Sequence, residues 1–342
     1  MPILRVTLHL LRRFWAELLA CAGLAALIIG VNPSRLGGVF SQIQWLPAVL
    51  MVPVVVGVYA SHGTAWWIAL RAIGEHIGLR ETLLIEFAGQ AMVFLPLGDL
   101  TRVVMVRAAD HEEGVGAITA TVALQELIFM ILMSLGALPQ LVQRPNIALL
   151  VLAVILGFLG VFVVLLWEAA YVRAIRLLEV FQFFRRFDSQ LRDIRPAFIR
   201  VCRPRPLCGI VGCQALAAAL SFLLFSLALD AIGAKVGYTA AVFALGVSFT
   251  VSAISFLPLG LGAFEGVLTL ILLTYGVPAA TGAGAGLLFR GYNDVLMAML
   301  AVPCLLYVRR RQKSGTWHLS GSTTPASKPE SRSLEVDRRR YP

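Results

Sequence analysis

Phe94-Leu95-Pro96-Leu97-Gly98 and Phe256-Leu257-Pro258-Leu259-Gly260 are the same five residues, met twice in a chain of 342. Each copy interrupts an apolar run and is followed by an acid, Asp99 directly after the first and Glu265 five residues after the second. Hydrocarbon offers no partner to open backbone, so a Pro-Gly break inside a membrane segment implies a protein-lined or wet interior.

The composition around the two breaks is that of a membrane protein. Hydrophobic residues make up 58% of the chain and charged ones 14%, with a mean hydropathy of +0.82. A soluble domain is nearer half apolar and about a quarter charged. Several runs exceed the roughly 18 residues that mark a spanning helix. The expected fold is an all-α polytopic membrane protein with about six full spans and two re-entrant or broken hairpins, up to eight segments in all.

The net charge of +10 raises nucleic acid as a partner, but its placement argues against one. Arginines gather at the N-terminus (Arg5, Arg12, Arg13), in residues 168–206 and at Arg309-Arg310-Arg311. That is how cytoplasmic ends are marked. A bacterial inner-membrane protein with both termini cytoplasmic is expected. Cys21, Cys202, Cys208, Cys213 and Cys304 form no Cys-x-x-Cys pair, so neither a disulfide frame nor a zinc site is expected. No cofactor is implied.

Taken in order, the first span is read over Phe14 to Val31, retained rather than cleaved, with turn chemistry at Asn32-Pro33 and a Gly-Gly pair. The second runs from about Trp45 to Leu70, its Trp66-Trp67 beside Arg71 fitting an interfacial belt. Leu83 to Leu97 is too short for a full crossing and is broken by Gly89, Gln90, Pro96 and Gly98. Residues 99–113 read as interfacial, Val115 to Leu138 and Ile147 to Trp167 as spans. The linker 168–206 carries nine arginines and no lysine, a cytoplasmic surface suited to anionic headgroups. A fifth span covers Leu207 to Ala231, a broken segment Tyr238 to Tyr275, and a last span about Gly284 to Val308. The membrane domain therefore occupies 1–311, and the Ser- and Pro-rich residues 312–342 are expected to be disordered.

The offset of 162 between Pro96 and Pro258 also matches Gly114-Val115 with Gly276-Val277, Ala117 with Ala279, Thr119 with Thr281 and Ala123 with Ala285. It sets the second span onto the fifth, giving repeat units of about 46–138 and 208–300. With both termini inside, the copies are inverted across the membrane. Two opposed broken helices then build one site reachable from either face, the plan of many secondary transporters.

An acid or arginine in the bilayer costs about 2.5–3.5 kcal/mol on insertion scales, so those present face the interior or a cavity. The candidates are Asp99 and Arg102 after the first break, Glu126 mid-span, Glu265 after the second break, and Arg290, Asn293 and Asp294 in the last span. Structural ion pairs joining helices are one reading. A lined cavity, with Gln90, Gly260 and Gly262 at the breaks, is the other. Arg102 and Arg290 suit an anionic headgroup, and the acids suit pairing or carriage of a proton. Zinc-protease, phosphate-loop and nucleophile-elbow motifs are absent from the sequence.

Pro96-Leu97-Gly98-Asp99-x-x-Arg102, Glu126 a span later, and Pro258-x-Gly260-x-Gly262-x-x-Glu265 before a terminal span with Arg290 resemble the lysylphosphatidylglycerol synthase transmembrane-region family. The resemblance covers most of residues 10–308. It implies a flippase-like domain for lysyl-phosphatidylglycerol, hopanoid-type lipids or isoprenoid-linked glycolipids, with Asp99, Arg102, Glu126 and Glu265 as the residues carried over. The pattern departs at Leu127, where the family often has an arginine. Large members append an aminoacyl-transferase domain, for which the 31 residues after Arg311 are too few, so no synthase activity is expected. The functional expectation is a translocase for an amphipathic lipid. An intramembrane enzyme acting on headgroups, or a scaffold for lipid-biosynthesis proteins, are the alternatives.

Overall fold

The computed structural model describes residues 22–92, 100–107, 114–141, 145–180, 188–255 and 260–313, all helices and connecting turns among them. The two Phe-Leu-Pro-Leu-Gly copies lie outside these residues except for Gly260, as do Asp99 and most of the 312–342 tail.

The chain opens with α1 (Ala22–Val31) and α2 (Pro33–Phe40), bent by 82° at Asn32. The sequence reading placed a turn over the stretch that forms α2. Pro33 pre-sets the first helical φ, and the Asn32 side chain accepts the Ser34 N–H, so a new helix starts at once. A long span, α3 (Trp45–Ile73), follows, then two short helices, α4 (Leu79–Gln90) and α5 (Leu100–Arg107), and a second span, α6 (Val115–Leu135), extended by the single turn α7 (Leu138–Leu141). The span α8 (Pro145–Leu166) leads into the linker helices α9 (Glu168–Leu178) and α10 (Asp188–Val201). The earlier order then recurs: α11 (Pro204–Ala231) is long, α12 (Tyr238–Ile254) and α13 (Ala263–Leu273) are short. A closing span joins α14 (Ala279–Arg290), a π turn at Gly291–Leu296, and α15 (Met297–Lys313). Among the described residues, five helices are long and apolar enough to cross a membrane, six with the bent α1–α2 pair.

The long helices α3 and α11 pack along each other in opposite directions. A Cβ added at Gly57 would lie 3.2 Å from Leu220, and one at Gly209 3.1 Å from Ile68, so the low end of one helix meets the high end of the other. Small residues admit this close approach, which supplies packing where lipid supplies no hydrophobic drive. Besides contacts between consecutive helices, such as α12 with α13 and α13 with α14, several run crosswise. The short helix α4 packs on α15, and α12 on α6; α2 packs on α14, and α10 on α6. Each group of helices thus leans on the closing span of the other.

The α10–α6 contact is tight. A Cβ at Gly116 would sit 2.1 Å from the Gln190 carbonyl oxygen, a backbone atom that cannot step aside. Gly116→Leu should therefore pry α10 off α6. The expected result is faster proteolysis within 188–203 in the folded protein, and an unchanged digestion pattern would contradict the packing.

Lipid-facing and core residues separate cleanly. Leu149, Leu152, Leu156 and Val163 of α8 are exposed, as a helix against hydrocarbon must be. Trp45 and Trp167 are also exposed, at the ends of spans, where the membrane–water interface favours their rings. Trp66 differs from expectation: it is 0% exposed and its indole N–H donates to Thr121 Oγ1 at 2.9 Å. It is a core residue, and Trp67 beside it carries the Arg71 guanidinium 4.7 Å above its ring. The linker is pinned at one point. Arg200 Nη1 donates to the Ile73 carbonyl at 2.7 Å, placing a cation on the last turn of α3 where open carbonyls need one.

Candidate functional site

Two arginines organise the polar interior. Arg102 on α5 was read as interfacial, but it is 1% exposed. Its Nη1 donates to Glu86 Oε2 at 2.5 Å and its Nη2 to Glu126 Oε1 at 3.3 Å. Glu86 lies on α4 and is itself buried, while the Glu126 side chain on α6 is 37% exposed. Gly89 makes room for the arginine stem, since a Cβ there would fall 2.7 Å from Arg102 Cγ. The indole of Trp66 lies 5.6 Å from the guanidinium.

The second arginine repeats this with its parts exchanged. Arg290 Nε lies 2.6 Å from Glu265 Oε1, and Nη1 donates to Asp294 Oδ2 at 3.0 Å. Glu265 on α13 is 0% exposed. Its other oxygen accepts the Gly262 N–H at 2.7 Å, capping the first turn of α13, where a carboxylate also suits the helix dipole. The ring of Phe264 lies 4.6 Å from the Arg290 guanidinium. Asn293 Nδ2 donates to Asp294 Oδ1 at 2.8 Å. Asn293 and Asp294 sit in the π turn, whose altered ladder leaves the Asn293 carbonyl for the Tyr59 hydroxyl at 3.0 Å. Such turns occur in helices mostly at functional sites.

Glu126 is the twelfth residue of α6 and Arg290 the twelfth of α14, while Arg102 and Glu265 lie on the preceding short helices, α5 and α13. Each group of helices thus pairs a short helix with the helix that follows it, and the charges are exchanged between the two groups. In each group the arginine has one fully buried carboxylate (Glu86, Glu265) and one nearer open space (Glu126, Asp294).

Between the two clusters lies a cavity of about 330 Å³, lined from both helix groups. Glu86, Gln90 and Glu126 come from one side, Gly260, Arg290 and Asp294 from the other. Aromatic side chains including Phe129, Phe249 and Phe289 close the walls, and His62, bonded to Gln125 at 3.2 Å, stands beside Tyr59. Of the residues expected from sequence, Gln90, Glu126, Gly260, Arg290, Asn293 and Asp294 line this cavity. Arg102 and Glu265 hold its walls from behind. Gly262 does the same: its φ is +83° and Gly23 of α1 lies 3.2 Å from where a Cβ would be. Gly262→Ala should cost about 1–2 kcal/mol from the left-handed backbone alone, read as a lowered apparent Tm; an unshifted Tm would contradict it. Pro96, Gly98, Asp99 and Pro258 lie outside the described residues.

Glu86 was missed. Its signal was available, an acid within the short apolar run before the first break. Tyr59 and His62 carried no such signal, because a tyrosine or histidine in a span is ordinary packing material.

Long apolar helices, a polar cavity walled by buried ion pairs and a closing span broken by a π turn define an integral membrane protein with a polar cavity among its helices. The lysylphosphatidylglycerol synthase TM region matches residues 14–301, and the chain belongs to that family. Comparison with curated proteins returns no match.

Proposed function

We propose that this protein is a lipid translocase of a bacterial inner membrane, with both termini cytoplasmic and no chemistry of its own on the lipid. The observation that carries the reading is the cavity shared by the two helix groups, about 330 Å³ in size. It is suited to one headgroup, within the usual range for small-molecule pockets, while the tails stay in bilayer. The helix groups act as inverted repeats, extended beyond 46–138 and 208–300 to include α2 and α10. The opposed α3 and α11 and the crosswise packing support this. Rocking one group against the other would open the cavity to alternate faces. Membership of a lipid-related membrane family agrees.

Deleting the gene tests the reading through leaflet-resolved lipidomics. The expected result is one lipid class with unchanged structure and altered distribution between leaflets. A lipid whose structure itself changes, with normal distribution of the rest, would favour a headgroup-modifying enzyme and overturn the proposal.

A further inference from the structure

Sequence alone pointed Arg102 and Arg290 at an anionic headgroup. Both guanidiniums are instead engaged, each by two carboxylates. Among the described residues, four carboxylates thus face two guanidiniums, a formal excess of two negative charges in this set. A phosphate presents only acceptors and negative charge, and so do ionised Glu126 and Asp294. Placing one beside them sets like charges together in a poorly screened interior.

A second observation is independent of charge. Gln90 is 5% exposed and lines the cavity, and its amide is neither sealed in protein without a partner nor hydrogen-bonded among the described residues. It opens onto the cavity, where a ligand group can supply its hydrogen bond. At the repeat offset of 162, Gln90 corresponds to Ser252, which lines the same cavity from α12. Each group's first short helix thus ends by presenting a neutral polar side chain to the space.

We propose that the cavity takes the hydrogen-bond-donating, non-anionic part of a lipid headgroup, hydroxyls or an ammonium, and leaves any phosphate outside. Gln90 and Ser252 contact it together with Glu126 and Asp294. This rests on the cavity being the lipid site of the translocase reading. Glu86, at the cavity's edge, and Glu265, behind its wall, are positioning residues that set the arginines. A donor-rich group satisfies Gln90 Oε1 and both outer carboxylates at once, and the surrounding phenyl rings tolerate or favour a cation over their faces.

The test uses the full chain in a sugar-free zwitterionic detergent, titrated with three dioctanoyl glycerolipids bearing phosphate, phosphoethanolamine or glucosyl heads. Saturable thermal stabilisation, read by tryptophan fluorescence, reports binding. The glucosyl or ethanolamine head, or both, should bind about tenfold more tightly than the phosphate head, the difference that one well-made hydrogen bond to a charged group supplies. Gln90→Leu should erase that gap; Ser252→Ala serves if Gln90→Leu does not fold. Tighter binding by the glucosyl head identifies hydroxyls as the recognised group, and tighter binding by ethanolamine identifies the ammonium. Phosphate binding as tight as either, or an unchanged ranking in both variants, would overturn the proposal. Transfer between leaflets is measured separately: a preserved binding preference without transfer would defeat the translocase reading and leave this one standing.

Discussion

Arg102→Leu is expected to destabilise the protein by about 3–5 kcal/mol, the usual cost of removing one partner from a buried ion pair. The size follows from what remains. Glu86 is 1% exposed and would keep its charge in a low-dielectric interior, or take up a proton against its ordinary chemistry. Glu126, more open to the cavity, would recover by hydration. The loss should appear as an apparent Tm lowered by on the order of 10 °C in detergent, together with reduced yield from the membrane. The double variant Glu86→Leu/Arg102→Leu should regain most of the stability, because a buried pair replaced by apolar residues of similar volume is often neutral. A single variant as stable as wild type would mean that Arg102 is not buried against Glu86 at all. The sequence alone suggested that the arginine meets an anionic headgroup. Its burial reverses that expectation.

Arg290→Leu should have a comparable effect, for a related reason. Among the described residues, it leaves Glu265, 0% exposed, with the Gly262 N–H and Asp294 with the Asn293 amide. About 3–5 kcal/mol is again the scale. Arg290→Lys separates charge from geometry. A lysine restores the positive charge but offers one compact ammonium where a planar fork spans two carboxylates. It should recover part of the stability while leaving Asp294 poorly held and lipid transfer impaired. Full recovery of both by lysine would show that charge alone matters and that the forked contact does not.

Much of the fold was legible because the membrane imposes few solutions. The long apolar runs of α3, α6, α8 and α11 announce spans by length. Less legible was the relation between the polar residues. A fixed offset of 162 sets Arg102 on Phe264 and Glu126 on Leu288, which conceals the exchanged charges. The correspondence of Glu126 with Arg290 emerges only when α6 and α14 are each counted from their own starts. Burial was hidden too. Residues 99–113 carry enough charge to read as interfacial, and nothing local reveals that Glu86 on α4 reaches Arg102 across the break. Trp66 misled for the same reason, since an indole beside arginines suits an interface and a core cation pair equally well. Of the partners of Arg102 and Arg290, by contrast, Glu126, Glu265 and Asp294 were already marked as costly in lipid, and Glu86 alone was not.

The central claim is that a lipid headgroup crosses through the cavity between the two helix groups. The most direct measurement is leaflet transfer of tail-labelled lipids in vesicles containing the purified protein, followed by quenching from the outer face. Wild type should speed transfer of at least one donor-headed lipid over protein-free vesicles. The isosteric variants Glu126→Gln and Asp294→Asn, which keep shape and should fold, should slow it about tenfold or more. Transfer no faster than in empty vesicles for every lipid tried, or equal rates in wild type and both variants, would contradict the account.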